Sequence, residues 1–182
     1  MSNSRTVTDV KKSLAKLVKE QNPDILCLQE SGKWPQNRAS EFSKMIGYKY
    51  YSVNTVNGNS FFSKFPLEDV KDFSNEVINK FADIKKVKID KDNFFYLVNC
   101  HFNSFGISSE EIEYINDAKN IVKDTDIYGR SVVSKLTRGF KLRTKSTQVL
   151  IDKLPNDDTP LVICGDFNDT PLSYTYNQMS KA

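Results

Sequence analysis

Three apolar segments of the chain end in polar side chains that can do chemistry. Each segment is a short, continuous apolar run, which predicts a buried strand. In α/β proteins, ligands bind beyond the carboxyl ends of such strands. The polar residues are Glu30 after the first segment, His101, Asn103 and Ser104 after the second, and Asp166 and Asn168 after the third.

If the three strand ends converge, their side chains suit the metal-assisted hydrolysis of a phosphoester. Glu30 is a hard oxygen donor of the kind that binds Mg²⁺ or Mn²⁺. His101, the only histidine in the chain, can donate a proton or a hydrogen bond to the scissile phosphate. Asp166 can orient or deprotonate a water molecule, and Asn168 can hold a phosphate oxygen. We therefore expect these four residues to lie at one edge of the fold.

Each of these residues also has an ordinary structural interpretation. A glutamate after a strand is commonly solvated, and a single histidine commonly serves structure. Asp166 and Asn168 follow Gly165, where the third apolar run stops, and all three are turn formers. Trp34 either lines a substrate cleft or anchors a loop. The shared position of the polar residues at strand ends favours the functional interpretation.

Bulk properties limit the class of protein. The 182 residues are expected to form one domain (residues 1–182), and the net charge of +3 is too small to indicate a nucleic-acid partner. The sequence has no apolar run near the ~20 residues of a membrane span and begins without a signal-peptide pattern. The cysteines at 27, 100 and 164 lie in apolar runs, which favours buried, reduced thiols. These features predict a cytoplasmic protein, with an exported or membrane-anchored parent as the alternative.

The elements that must position these residues combine helices, hairpins and single strands. Asn57-Gly58 predicts a hairpin turn between strands at 48–53 and 60–64, and a turn at 90–93 joins strands at 84–89 and 94–101. Such hairpins beside a helix-linked strand predict a mixed sheet. Helical spacing predicts three helices: one through residues 10–18, capped by Thr6 and Asp9 and ended by Asn22-Pro23, one at 109–122, and one at 131–153.

Four sequence motifs, in this order, resemble those of the endonuclease/exonuclease/phosphatase superfamily, which has the DNase I-like fold. The resemblance covers nearly the whole chain, roughly from Val10 to Pro171. The matching segments are PDILCLQE at 23–30, NSFFSKFPL at 59–67, NCHFNS at 99–104 and GDFN at 165–168.

The resemblance implies an α/β four-layer sandwich of two mixed β-sheets flanked by helices. It implies a Mg²⁺-dependent (or Mn²⁺-dependent) hydrolase whose phosphoester substrate is a nucleic acid, a phospholipid headgroup or a nucleotide. Glu30 becomes the metal ligand and His101 the phosphate-contacting residue, while Asp166 and Asn168 surround the attacking water and the phosphate. Asn103, Ser104 and Trp34 are candidate substrate-binding residues.

The chain departs from the family pattern at both ends. It lacks a recognisable first strand with its asparagine and a final aspartate followed by an SDH segment. The resemblance therefore implies a truncated domain without its terminal strands, poor hydrolysis by this chain and self-association through exposed strand edges. The alternative is a non-catalytic domain that binds a phosphorylated ligand.

A basic stretch precedes the third strand. Residues 127–151 contain no acidic residue and six cations: Arg130, Lys135, Arg138, Lys141, Arg143 and Lys145. This stretch either attracts a polyanion or forms the solvated face of an amphipathic helix, which is the favoured interpretation. Its resemblance to a helix in bacterial members of the superfamily adds a structural role for Arg143 and Gln148.

Overall fold

The computed structural model describes residues 7–31, 34–71, 73, 75–116 and 127–181. Internal contacts divide the chain into a first unit, residues 1–101 with 155–165, and a second unit, residues 102–154 with 166–182. The helices and strands, in chain order, are α1 (Val7–Gln21), β1 (Ile25–Leu28), α2 (Gln36–Ile46), β2 (Tyr50–Val53), β3 (Ser60–Ser63), β4 (Leu67–Asp69), a 3₁₀ turn (Ile78–Lys80), β5 (Ala82–Lys88), β6 (Phe94–His101), α3 (Ser109–Asn116), α4 (Ile127–Ile151), β7 (Leu161–Asp166) and α5 (Tyr174–Met179).

Two sheets make up the body of the first unit. β1, β3 and β2 form an antiparallel sheet in that order, and the predicted Asn57-Gly58 turn joins β2 to β3. The second sheet has the order β4-β5-β6-β7, and its first three strands are antiparallel. Tyr96 donates its backbone N–H to Pro160, and the Cys100 thiol donates to the carbonyl of Cys164. Residue numbers increase in the same direction along the two strands, since Tyr96 pairs with Pro160 and Cys100 with Cys164. β7 therefore runs parallel to β6, and this sheet is mixed.

Gly165 allows β6 and β7 to approach closely. Its φ is +146°, and a Cβ atom there would lie 1.9 Å from the carbonyl oxygen of Cys100. Only glycine fits such a position. The apolar run stops at this glycine, but β7 continues through it to Asp166, where the sequence predicts the strand to end.

The two sheets pack face to face around an apolar core. Phe61 of β3 meets Val87 and Leu97 of the second sheet, and all three are buried. Cys27 and Cys164 pack against this cluster. The hydrogen bond that the Cys27 thiol donates to the Cys164 sulfur, with burial, raises the pKa of Cys27 well above its ordinary value. All three cysteines are free, in agreement with the reduced thiols that the sequence predicts.

Helices α1 and α2 cover the outer face of the three-stranded sheet. Phe62, whose neighbour Phe61 faces the inter-sheet core, points to the opposite face because side chains alternate along a strand. It packs there with Val18 of α1 and with Phe42 and Ile46 of α2. These contacts give the first unit three layers: helices, an antiparallel sheet and a mixed sheet.

The second unit contains the helices α3, α4 and α5. α3 begins with a capping box, in which the Ser108 hydroxyl accepts from the Glu111 N–H and the Glu111 carboxylate accepts from the Ser108 N–H. The same carboxylate accepts hydrogen bonds from Lys135 and Ser131 of α4. These bonds, that of Lys135 foremost, lower the pKa of Glu111 to about 2.

The observed architecture, two packed β-sheets accompanied by helices, confirms the α/β class and the DNase I-like fold. The strands at 48–53, 60–64 and 84–89 are present within two residues of their predicted bounds, and 94–101 is predicted correctly. Thr6 and residues 117–122 of the predicted helices lie outside the described residues. None of the helices in the described part of the chain has the length and apolar character needed to cross a membrane. A single domain over residues 1–182 stays a prediction.

Candidate active site

Glu30 and His101 meet in the first unit, although 71 positions separate them in sequence. Glu30 follows β1 and has a φ of +51°, while His101 is the last residue of β6. The His101 Nε2 atom lies 3.6 Å from a carboxylate oxygen of Glu30. The Glu30 side chain is 80% exposed and the imidazole 20% exposed. A solvent-facing carboxylate therefore stands beside a largely buried imidazole.

The turn between β2 and β3 supports the chain just after Glu30. Both the N–H and the hydroxyl of Ser31 donate to the carbonyl of Gly58, and the hydroxyl also shares a 2.7 Å hydrogen bond with Ser60. Asp83 of β5 holds the same turn by accepting from the amide groups of Asn54 and Asn57. Burial raises the pKa of Asp83 despite these hydrogen bonds.

Asp166 and Asn168 form a compact turn in the second unit. The Asp166 carboxylate accepts the backbone N–H of Asn168 at 2.7 Å, and the Asn168 side-chain amide donates to the carbonyl of Phe102 at 2.8 Å. The carbonyl of Asp166 accepts from the N–H of Phe102. Asn168 has a φ of +50°, a conformation that asparagine tolerates better than most residues. The turn interpretation of these residues is correct, and it presents the exposed Asp166 carboxylate to solvent.

Arg143 of α4 supports this turn and the segment after Phe102. Its side chain is 0% exposed, and its Nε donates to Asp169, whose side chain is 7% exposed. Its Nη1 donates to the carbonyl of Asn103, and its guanidinium stacks on Phe105. A Cβ at Gly139 would strike Phe105 at 2.6 Å, so this glycine makes room for the stack. The solvated-face interpretation of the basic stretch is wrong for Arg143, because tertiary contacts enclose it.

The other basic residues of α4 differ from Arg143. Lys135 pairs with the buried Glu111 at 2.7 Å. Arg138, Lys141 and Lys145 are exposed, as a solvated helix face predicts.

The predicted substrate-binding residues lie in two different surroundings. Asn103 and Ser104 are exposed in the second unit. Trp34 packs edge-on against Phe42, with ring centroids 5.3 Å apart, and Lys11 lies 4.7 Å over its ring. This packing fits a loop anchor, one of the two roles that the sequence allows; a substrate contact by Trp34 stays a prediction. The structure thus joins Glu30 to His101, and Asp166 to Asn168; the convergence of all four at one edge stays a prediction.

The donor chemistry at Glu30 fits a hard divalent cation. Mg²⁺ commonly binds through one or two carboxylates and keeps several waters, and an exposed carboxylate leaves room for that hydration shell. Among the described residues there is no cluster of three or more His, Cys, Asp or Glu side chains that would hold a metal by themselves. Glu30 is therefore the candidate ligand of a partly hydrated ion.

Solved structures of other proteins share the fold. They include an endonuclease/exonuclease/phosphatase family protein from Bacteroides thetaiotaomicron (14% identity, TM-score 0.59, 94% of this chain and 59% of that one). An AP endonuclease from Archaeoglobus fulgidus matches with 17% identity and a TM-score of 0.57, over 94% of this chain and 65% of that one. A beta-toxin mutant from Staphylococcus aureus with bound magnesium ions matches with 14% identity and a TM-score of 0.52, over 94% and 62%. At these identities the likeness shows the fold alone.

The chain spans about three fifths of the length of these structures. Among curated proteins, none matches the chain in sequence. The model of the Endonuclease/Exonuclease/phosphatase family matches residues 2–182. With the two-sheet fold and the four motifs in order, the match shows that the chain belongs to the endonuclease/exonuclease/phosphatase family.

Proposed function

We propose that this chain belongs to a Mg²⁺- or Mn²⁺-dependent hydrolase of phosphoesters, a nuclease, phosphodiesterase or phosphatase. The observation that carries the proposal is the 3.6 Å approach of the His101 imidazole to the Glu30 carboxylate at the ends of β1 and β6. A metal-binding carboxylate and a proton-donating imidazole are the two groups that such a reaction needs close together. The substrate is a nucleic acid, a phospholipid headgroup or a nucleotide.

Glu30 and His101 take complementary roles in this proposal. Glu30 holds the divalent ion, which when bound supplies positive charge to the phosphoester oxygens. His101 donates a hydrogen bond or a proton to the scissile phosphate. Its largely buried ring limits the orientations of the imidazole, so that the donor is directed before the substrate binds.

Asp166 and Asn168 act on the water and the phosphate. The Asn168 amide has two N–H donors, of which one is used on Phe102, and the second can reach a phosphate oxygen. One oxygen of the Asp166 carboxylate orders the turn through the Asn168 N–H. The exposed carboxylate can also orient or deprotonate a water molecule. Asn103 and Ser104, which are exposed and follow His101 by two and three positions, are proposed substrate contacts.

Metal binding tests the role of Glu30. We expect weak binding of Mn²⁺ or Mg²⁺ by calorimetry, on the order of millimolar, because a single carboxylate supplies few ligands. Glu30→Ala should abolish this binding. Glu41→Ala, which removes an exposed carboxylate from α2, is the matched control and should bind as the unmodified chain does. Equal binding by the Glu30 and Glu41 variants would place the metal elsewhere.

Hydrolysis tests the reaction itself. Bis-p-nitrophenyl phosphate, plasmid DNA, a nucleotide and phosphocholine-lipid vesicles cover the proposed substrate classes. We expect slow hydrolysis of at least one of them with Mg²⁺, and a loss of about 10²–10⁴-fold in His101→Ala, the usual contribution of a general acid–base group. Binding of a phosphorylated compound without any hydrolysis would instead support the non-catalytic alternative.

A further inference from the structure

A fully buried asparagine lies two residues before His101. Asn99 is 0% exposed, in a strand whose neighbouring residues Leu97 and Val98 are apolar and also buried. A buried amide costs stability unless its donors and acceptors are used. The partners of Asn99 therefore indicate why a polar residue occupies a core position.

Both the oxygen and the nitrogen of the Asn99 side-chain amide form hydrogen bonds with the three-stranded sheet. Its Oδ1 accepts from the Gln29 side chain at 2.6 Å, and its Nδ2 donates to the carbonyls of Leu28 and Ser60 at 3.1 and 3.2 Å. The backbone carbonyl of Asn99 accepts from the Asn59 side chain at 3.1 Å. One residue of β6 is thereby joined to the end of β1 and the start of β3.

These hydrogen bonds lie beside the candidate active-site pair. Gln29 directly precedes Glu30. Because side chains alternate along a strand, Asn99 and His101 lie on the same face of β6 as Leu97, which packs in the inter-sheet core. The Gln29–Asn99 bond and the Glu30–His101 contact are therefore successive links between the same two strands.

We propose that Asn99 is a positioning residue that sets the distance between Glu30 and His101 by fixing the end of β1 against β6. An apolar residue of similar size would fill the same space but would supply none of these directional hydrogen bonds between the two sheets. The inference rests on the proposed function only in that Glu30 and His101 are the residues positioned. The geometry itself involves neither metal nor substrate.

The single histidine of the chain makes this proposal directly measurable. The imidazole gives one ¹H–¹³C signal for its Cε1–Hε1 group, free of overlap with other histidines. In the metal-free protein at fixed pH, Glu30→Gln should shift this signal because the carboxylate is 3.6 Å from Nε2. We expect the shift to fall to about half or less when the same change is made in Asn99→Leu or in Gln29→Met.

Gln29→Met removes one bond to Asn99 without altering the core residue itself, so it remains informative if Asn99→Leu fails to fold. Val98→Ala is the matched control, because it truncates a buried neighbour on the opposite face of β6, and it should retain the full Glu30-dependent shift. An equal shift in all backgrounds would overturn the proposal, and so would an equal loss in Val98→Ala. A failure of the proposed function would appear separately, as absent metal binding and hydrolysis with this dependence on Asn99 intact.

Discussion

The Glu30–His101 pair and the Asp166–Asn168 turn are supported by different chemistry. In the first unit, neutral side-chain amides link the strands beneath Glu30 and His101, with Asn99 at the centre. In the second unit, a buried ion pair between Arg143 and Asp169 underlies the Asp166–Asn168 turn.

The two kinds of support should fail differently. A neutral hydrogen bond contributes about 0.5–1.5 kcal/mol net, and an unsatisfied buried partner costs about 1–3 kcal/mol. Removing one member of a buried ion pair costs about 3–5 kcal/mol, because the remaining charge stays uncompensated. The Asp166–Asn168 turn should therefore be the more sensitive of the two to a single substitution.

The largest effect is expected from Arg143→Met, which keeps the length and apolar stem of the side chain but removes the charge. The buried Asp169 carboxylate would lose its cation, and we expect a loss of about 3–5 kcal/mol in the free energy of unfolding, measured by urea denaturation. Arg138→Met, at an exposed position of the same helix, should change stability by less than about 0.5 kcal/mol. Similar losses in the two variants would contradict the comparison.

A smaller effect is expected from glycine at the two residues with positive φ. Glu30 and Asn168 have φ values of +51° and +50°. The left-handed conformation destabilises an L-residue by roughly 1–2 kcal/mol. Glycine relieves this cost in both places, but Asn168→Gly also loses the 2.8 Å bond to Phe102. We expect Glu30→Gly to unfold with an unchanged or higher free energy and Asn168→Gly to lose about 1 kcal/mol.

Asn168→Ala separates the two causes in the second unit. Alanine loses the same bond and retains the backbone strain, so its stability should fall below that of Asn168→Gly by a further ~1 kcal/mol. Equal stabilities of the alanine and glycine variants would show that the positive φ carries no cost there. Thermal or urea unfolding of the purified variants measures all three values.

The sequence predicts the residues of the candidate site better than the contacts that hold those residues in place. Glu30, His101, Asp166 and Asn168 lie at or just after the ends of recognisable strands, and a strand end is a local property that apolar runs reveal. Helix α2 was missed, although Ala39, Phe42 and Ile46 recur at helical spacing and are buried. Its N-cap is Pro35, which makes no side-chain capping bond, so the usual start signal is missing.

Arg143 and Asn99 show why the contacts that support the site cannot be predicted from the neighbouring sequence. The local charge pattern does not distinguish Arg143 from the other cations of α4. Only the family resemblance gives it a structural role, and its contacts with Asp169 and Phe105 are what bury it. Asn99 looks like one polar residue in an apolar strand. Its partners are 39 to 71 positions away, and only the packing of one sheet on the other brings them together. A polar residue within an apolar run, two positions before a candidate catalytic residue, is the signal that the sequence offers.

The smallest effect is expected from mild acid, and it should distinguish the two units. The pKa of Glu111 in the second unit is lowered to about 2 from an ordinary value of 4.5, chiefly by Lys135. Its stabilising contribution is full above pH 4.5 and is lost as the pH falls toward 2. Burial raises the pKa of Asp83 in the first unit above its ordinary value of 3.8, so protonation of Asp83 relieves a destabilising charge as the pH falls.

Between pH 7 and 3.5, amide hydrogen-exchange protection, corrected for intrinsic rates, should therefore fall more in α4 than in β5. Glu111→Gln, which cannot ionise, should remove most of the pH dependence in α4; an unchanged dependence in that variant would assign the acid response to another group.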